Sequence, residues 1–517
     1  IKGELINSGK ITVENSGNRG LNDPRPTALL VNSGDVSPTA NVKIGNIDLM
    51  ADNSIGFEIG SGVYPLSGVK ADGSNGVIRV LGFVSNAVTI GNAVGTDTGD
   101  NLIGGLQNLN IFIDGARSQG IYLTDLPSVD DKNIILDDKV VQSITFGDNA
   151  TFGVMVFNNS MTNNVIIDSS LANVTDFNKG DDKRIIVNTG LSLKNYMPIT
   201  IINSENTGGT AIVNSGRPDD VSLENYGDIT INSECPTCTY IGEVVPTVGI
   251  INDRGVMKNF SNVTINADNV YAVASNNGTI TLNDGDITVN GDYATAIISF
   301  YQQSGPTIQP IINLESGNVY LNGSNGQVFY ISEGIIGLGS AENTVNATVS
   351  GENSYLFSKL YNREDHFLGK FNINGDVNSV VDKGAAAFYY SGQVFPDPYY
   401  PPMDFLSDLS NLFVINSGTL TIDVKDDGYL FGLTKMGLKV SDLDNIQLSG
   451  INLIGSKKVK LSNSALYIDN DSNLDYQNNT GNTGYRDLEY FDTDIFLDSG
   501  ITVTGTENRQ TGMKLAG

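Results

Sequence analysis

Apolar and polar residues alternate along this chain in short runs, each closed by asparagine. Between Ile185 and Asn290 the first three runs are Ile-Ile-Val before Asn188, Leu-Ser-Leu-Lys before Asn195 and Ile-Thr-Ile-Ile before Asn203. The triplet returns before Asn214, Asn225 and Asn232, then before Asn252, Asn259 and Asn266, then before Asn276, Asn283 and Asn290. A period of two puts Ile, Val and Leu on one side of an extended chain and Thr, Ser or charged residues on the other, as in a strand with one buried face. In the third and fourth copies the asparagines fall seven residues apart, and 24 residues separate Asn252 from Asn276.

Three short strands per 24 residues predict an all-β fold, a parallel β-helix. No single coil can bury its own apolar face, so such a chain is stabilised by stacking coil on coil. Asn and Gly at the corners accept the left-handed backbone that a sharp turn needs. Asn recurring at one corner predicts a ladder of side-chain hydrogen bonds between coils. The same pattern appears at Leu5–Glu14, Leu314–Asn322 and Val414–Asp423, so residues 1–517 read as one continuous solenoid segment. Departures from the repeat predict projecting loop insertions near 60–76, 116–138, 232–248, 299–310, 390–410 and 469–494, where a solenoid usually carries its specific contacts. Residue 1 already lies in a strand-like run and no signal-peptide pattern opens the chain, which predicts a piece of something longer.

Composition narrows the function. With 58 acidic and 30 basic residues the net charge is −28, which argues against a nucleic-acid partner, because phosphate binding needs basic clusters. No apolar run approaches the ~18–20 residues of a membrane span, so no membrane insertion by this segment is expected. There are 58 Gly and no Trp.

The runs Asn-Tyr-Gly-Asp-Ile-Thr-Ile-Asn at 225–232 and Asn-Asn-Gly-Thr-Ile-Thr-Leu at 276–282, with Gly375–Tyr390, resemble the passenger region of type V secreted autotransporters. More narrowly, they are similar to the large fusobacterial outer-membrane adhesins. The resemblance implies a right-handed β-helix on the surface of a Gram-negative cell, whose parent is anchored in the outer membrane by a C-terminal β-barrel absent from this sequence. It further implies adhesion, with a host cell-surface protein or glycan receptor, or other bacteria, as partner. The alternatives are a passive rigid spacer presenting a distal binding tip and, ranked below it, a carbohydrate-active β-helix enzyme. The scarcity of cysteine suits passage through an outer-membrane pore.

Candidate chemistry is sparse, and the chain is not expected to be an enzyme or to hold a cofactor or metal. Cys235-Pro-Thr-Cys238 could be a redox or metal motif, but with only two cysteines in a projecting insert it reads as a local disulfide. His366 is the single histidine, and no nucleophile motif accompanies it. Paired acids, such as Asp130-Asp131 and Asp426-Asp427, read as solvated turns, because adjacent strand residues face opposite ways. Asp97–Gly105 echoes a calcium-binding nonapeptide but occurs once, whereas such sites need stacked copies. The most distinctive local feature is aromatic: Tyr389, Tyr390, Phe395, Tyr399 and Tyr400, the last two set between prolines. Tyrosine is favoured at interfaces, which makes these five the candidate ligand-binding residues.

Overall fold

The computed structural model describes residues 4–6, 9–14, 25–31, 41–43, 45–59, 66–67, 76–91, 109–124, 133–136, 143–147, 152–157, 164–167, 175–176, 183–189, 192–202, 209–215, 221–232, 247–300, 309–360, 369–391, 411–434, 437–439, 450–455, 459–462, 465–467 and 501–504. The chain divides into two compact units, Ile1–Gly291 with Pro306–Ile308, and Asp292–Gly305 with Gln309–Gly517. Each is a parallel β-helix.

In the first unit, strands pair with the strand one coil further on. One face runs Thr27–Val31, Ile55–Ile59, Asn86–Gly91, Gln119–Thr124, Phe152–Phe157, Lys183–Asn188, Gly209–Ser215, Val248–Arg254, Tyr271–Ser275, all parallel. A second face runs from Asn133–Leu136 through Ser192–Asn195, Val221–Asn225 and Val256–Asn259 to Thr279–Leu282. A third includes Ile199–Ile202, Ile229–Ile231, Val263–Ile265 and Ile287–Val289. In the second unit the corresponding ladders are Thr295–Ser299 to Gln327–Ile331, Tyr355–Leu360, Ala386–Ser391 and Tyr429–Thr434; Ile311–Leu314 to Phe413–Ile415; and Gly317–Leu321 to Ile451–Gly455.

The core consists of columns, because in-register pairing puts like positions of successive coils above one another. On the first unit's first face Phe57, Val88 and Ile121, then Ile186, Ile212, Ile250 and Val273, lie on such a column, all buried. In the second unit the column is aromatic. Phe329, Phe357, Phe388 and Phe431 stack with centroids 5.4, 5.9 and 5.5 Å apart. Phe371 and Phe413 meet Phe357 edge-on at 5.0 and 5.1 Å, the geometry the ring quadrupole favours. Coils approach so closely that a Cβ on Gly249 would lie 2.5 Å from the carbonyl oxygen of Ala272.

Asparagine ladders are present. Asn188 Nδ2 donates to Asn214 at 2.9 Å and Asn214 to Asn252 at 2.8 Å, all buried. At the next corner Asn195 donates to Asn225, and Asn225 to Asn259, both at 2.7 Å. The third ladder, Asn290 to Asn266 to Asn232, is exposed, with bonds of 2.7 and 2.8 Å.

Three expectations need correction. Equal spacing predicts Asn276 above Asn252 and Asn283 above Asn259, but Ser275 and Leu282 occupy those positions. The coil is one residue shorter at these two corners, and the ladder regains step only at Asn290; the Asn252 amide turns instead to the carbonyls of Gly255 and Asn277. Residues 116–138 are not one insertion: Gln119–Thr124 and Asn133–Leu136 are ladder strands. The asparagine that closes other runs is missing there, but Ile121 and Leu123 still fill the inward positions completely. Residues 60–76 are not one insertion either, since Leu66–Ser67 is a ladder strand that pairs with Asn41–Lys43. Of the expected insertions, 60–65, 68–75, 233–246, 301–308, 392–410 and 469–494 lie outside the described residues.

Candidate binding surface

Local sequence decides which tyrosines face outward in the second unit. On the face that includes Tyr355–Leu360 the residue pairing omits the second position of each strand, so Tyr355 pairs with Ala386 and Phe357 with Phe388. Second and third residues are both buried, as for Leu356 and Phe357; at the first and fourth positions the tyrosines keep partial exposure, while the small residues Ser358, Ala386 and Gly432 are covered. The fourth positions of four successive coils are Tyr330, Ser358, Tyr389 and Gly432. The first positions are Gln327, Tyr355, Ala386 and Tyr429.

From Tyr355 onward large and small residues alternate on this face, and the Tyr355 ring lies in the gap left by the small ones. Tyr355 extends across Ala386 towards Gly432, where a Cβ would come 2.8 Å from its Cε1. Tyr389 stacks on Tyr355 with centroids 4.1 Å apart and planes 18° from parallel. Burial, then the neighbouring Tyr389, pushes the Tyr355 phenol well above its ordinary range, so it stays protonated. Tyr389 itself is half-buried, with one ring face on Tyr355.

Of the five aromatics singled out in the sequence, Tyr389 and Tyr390 lie on one strand, Ala386–Ser391, with Tyr390 in register with Lys359 and Leu433. Phe395, Tyr399 and Tyr400 lie outside the described residues, as do Cys235, Cys238 and His366. Among the described residues no group of three or more His, Cys, Asp or Glu is placed to hold a metal ion, and no helix is long and apolar enough to cross a membrane.

Sequence reading missed Tyr330, Tyr355 and Tyr429. The signal was available as tyrosine one or four positions into successive strands, but it emerges only once the register is known. It also missed an aromatic stack in the first unit. Tyr196, Tyr226 and Phe260 each follow a ladder asparagine and stack at 4.6 and 4.8 Å with planes within 7° of parallel. The repeated Asn-aromatic pair is its sequence signature. Beside it lie Lys194, Glu224 and Lys258 in register. Lys194 Nζ bonds Glu224 at 2.9 Å and Tyr226 Oη donates to the same carboxylate at 3.2 Å. That hydrogen bond from Lys194 to Glu224 holds the ammonium above its usual range; burial first, then the charge of Glu224, raises the Tyr226 phenol.

No protein-family model, curated protein or solved structure matches this chain. Function therefore rests on the surface itself and on the chemistry it offers.

Proposed function

We propose that this chain is a segment of a cell-surface adhesin, of the autotransporter-passenger kind, which attaches its cell to a host protein or glycan receptor or to other bacteria. The observation that carries the reading is the set of partly exposed tyrosines on one sheet face, Tyr330, Tyr389 and Tyr429, with Tyr355 as the more buried ring on which Tyr389 stacks. Tyr389 lies on the strand Ala386–Ser391, which precedes the aromatic stretch Phe395–Phe405 in the sequence. A half-buried ring held by a neighbour loses little freedom on binding, which is why tyrosine concentrates at recognition surfaces. The absence of Trp, the usual sugar-stacking ring, favours a protein over a glycan ligand.

The test is attachment of the purified chain to cells and to protein and glycan arrays. Deleting Phe395–Phe405, or replacing Tyr389 by Ala, is expected to weaken attachment at least about tenfold, the effect of losing ~1.4 kcal/mol. Circular dichroism should be unchanged. Undiminished attachment by both variants removes this surface from the account. Full attachment by a parent protein in which this segment is exchanged for foreign coils of equal length would identify a spacer.

A further inference from the structure

We infer that Tyr196 and Tyr226 form a site of oxidative cross-linking, at which a carbon–carbon bond between the two rings staples adjacent coils. Four observations converge on it. The residues follow Asn195 and Asn225, which are in register on neighbouring strands, so the two rings stack face over face. Their centroids are 4.6 Å apart and their planes 7° from parallel. Both rings are half-buried, within reach of a small oxidant yet held in place. Tyr226 also has a proton acceptor already in contact, since its phenol donates to Glu224 Oε2 at 3.2 Å. Phe260 covers the opposite face of Tyr226 at 4.8 Å and carries no phenol, so Tyr196 is the oxidisable partner within this stack.

The reactant required is hydrogen peroxide with a peroxidase. Each phenol gives up one electron and one proton, that of Tyr226 passing first to Glu224, and the peroxide is reduced to two waters. The two phenoxyl radicals join through the ring carbons ortho to oxygen. The hydrogen displaced from each of those carbons returns to a phenol oxygen and restores both aromatic rings. The product has lost one hydrogen from each tyrosine. Glu224, which Lys194 also engages at 2.9 Å, orients the Tyr226 phenol and is a positioning residue here.

The experiment treats the full chain with a peroxidase and hydrogen peroxide, then follows dityrosine fluorescence and locates the link by peptide mass mapping. The chain has 21 tyrosines, so position rather than total yield is decisive. The Tyr196–Tyr226 bond is expected to be the main link at this stack, formed within one molecule. It should be absent from Y226F, which keeps the aromatic column because Phe260 already fills the same position one coil on. Links distributed equally over other tyrosines, links between molecules only, or the same Tyr196–Tyr226 yield in denatured protein would each overturn the inference.

Discussion

At the scale of single residues, the buried asparagines carry more stability than their polarity suggests. Asn225 accepts from Asn195 and donates to Asn259, to Gly227 O at 2.9 Å and to Ser261 Oγ at 2.8 Å. Asn225→Ala strands partners on both sides, and each buried group left unsatisfied costs about 1–3 kcal/mol. The exposed rung Asn266 makes the same kind of bonds in water, so Asn266→Ala should stay within about 0.5 kcal/mol of the parent. Urea unfolding of the two variants checks the contrast; equal losses would mean that burial is not what gives the ladder its strength. Val84 offers the opposite case. Its φ of 54° is a left-handed conformation in which a β-branched side chain is strained, while Asn53, Asn325 and Asn353 adopt the same conformation with little cost. Val84→Asn is expected to stabilise the chain by roughly 1 kcal/mol, read as a higher urea midpoint at unchanged slope.

At the scale of strands and coils, much of the fold was legible from periodicity alone. Alternation of Ile and Val with Thr fixes which residues face inward, and the asparagine spacing fixes three strands per coil. What spacing could not convey was register. Asn276 and Asn283 obey the seven-residue rule, yet they sit one position beyond the ladder, because backbone pairing and core columns decide alignment and Ser275 and Leu282 satisfy both. The tyrosine surface was half-legible for the same reason. Tyr389 announced itself beside Tyr390, whereas its partner Tyr355 lies 34 residues earlier and meets it only through the pairing of their strands. Gly432 completes that surface by leaving room for the Tyr355 ring. Gly432→Ala should therefore destabilise, and much less so in a Tyr355→Ala background. A double-mutant cycle measures the coupling, and additive losses would show that the ring and the glycine are independent. Tyr355 also sets a pH dependence. Unfolded, its phenol ionises near pH 10; folded, its pKa is raised, so its contribution is whole below about pH 10 and lost as pH rises towards the folded value. The unfolding midpoint should fall above about pH 10, and Tyr355→Phe should flatten that fall.

At the scale of the whole molecule, each unit is a stack of coils and responds to damage differently from a globule. Each coil touches chiefly the coils on either side, so stability is a sum of coil and interface contributions, and a lesion is felt first by its neighbours. The aromatic column of the second unit is where this is sharpest. Phe357 meets Phe329 and Phe388 along the column and Phe371 and Phe413 across the core. Phe357→Ala removes all four contacts from a fully buried site, for which ~3–5 kcal/mol is the usual cost. In a single cooperative core that loss would lower amide protection everywhere by the same free energy. Here protection should fall most in Gln327–Ile331 and Ala386–Ser391, less in Tyr429–Thr434, and progressively less with each further coil of that unit. Hydrogen exchange resolved by peptide distinguishes the two patterns. A uniform loss across the second unit would mean that its coils fold as one body, and that the column of rings, rather than nearest-neighbour stacking, sets the size of the cooperative unit.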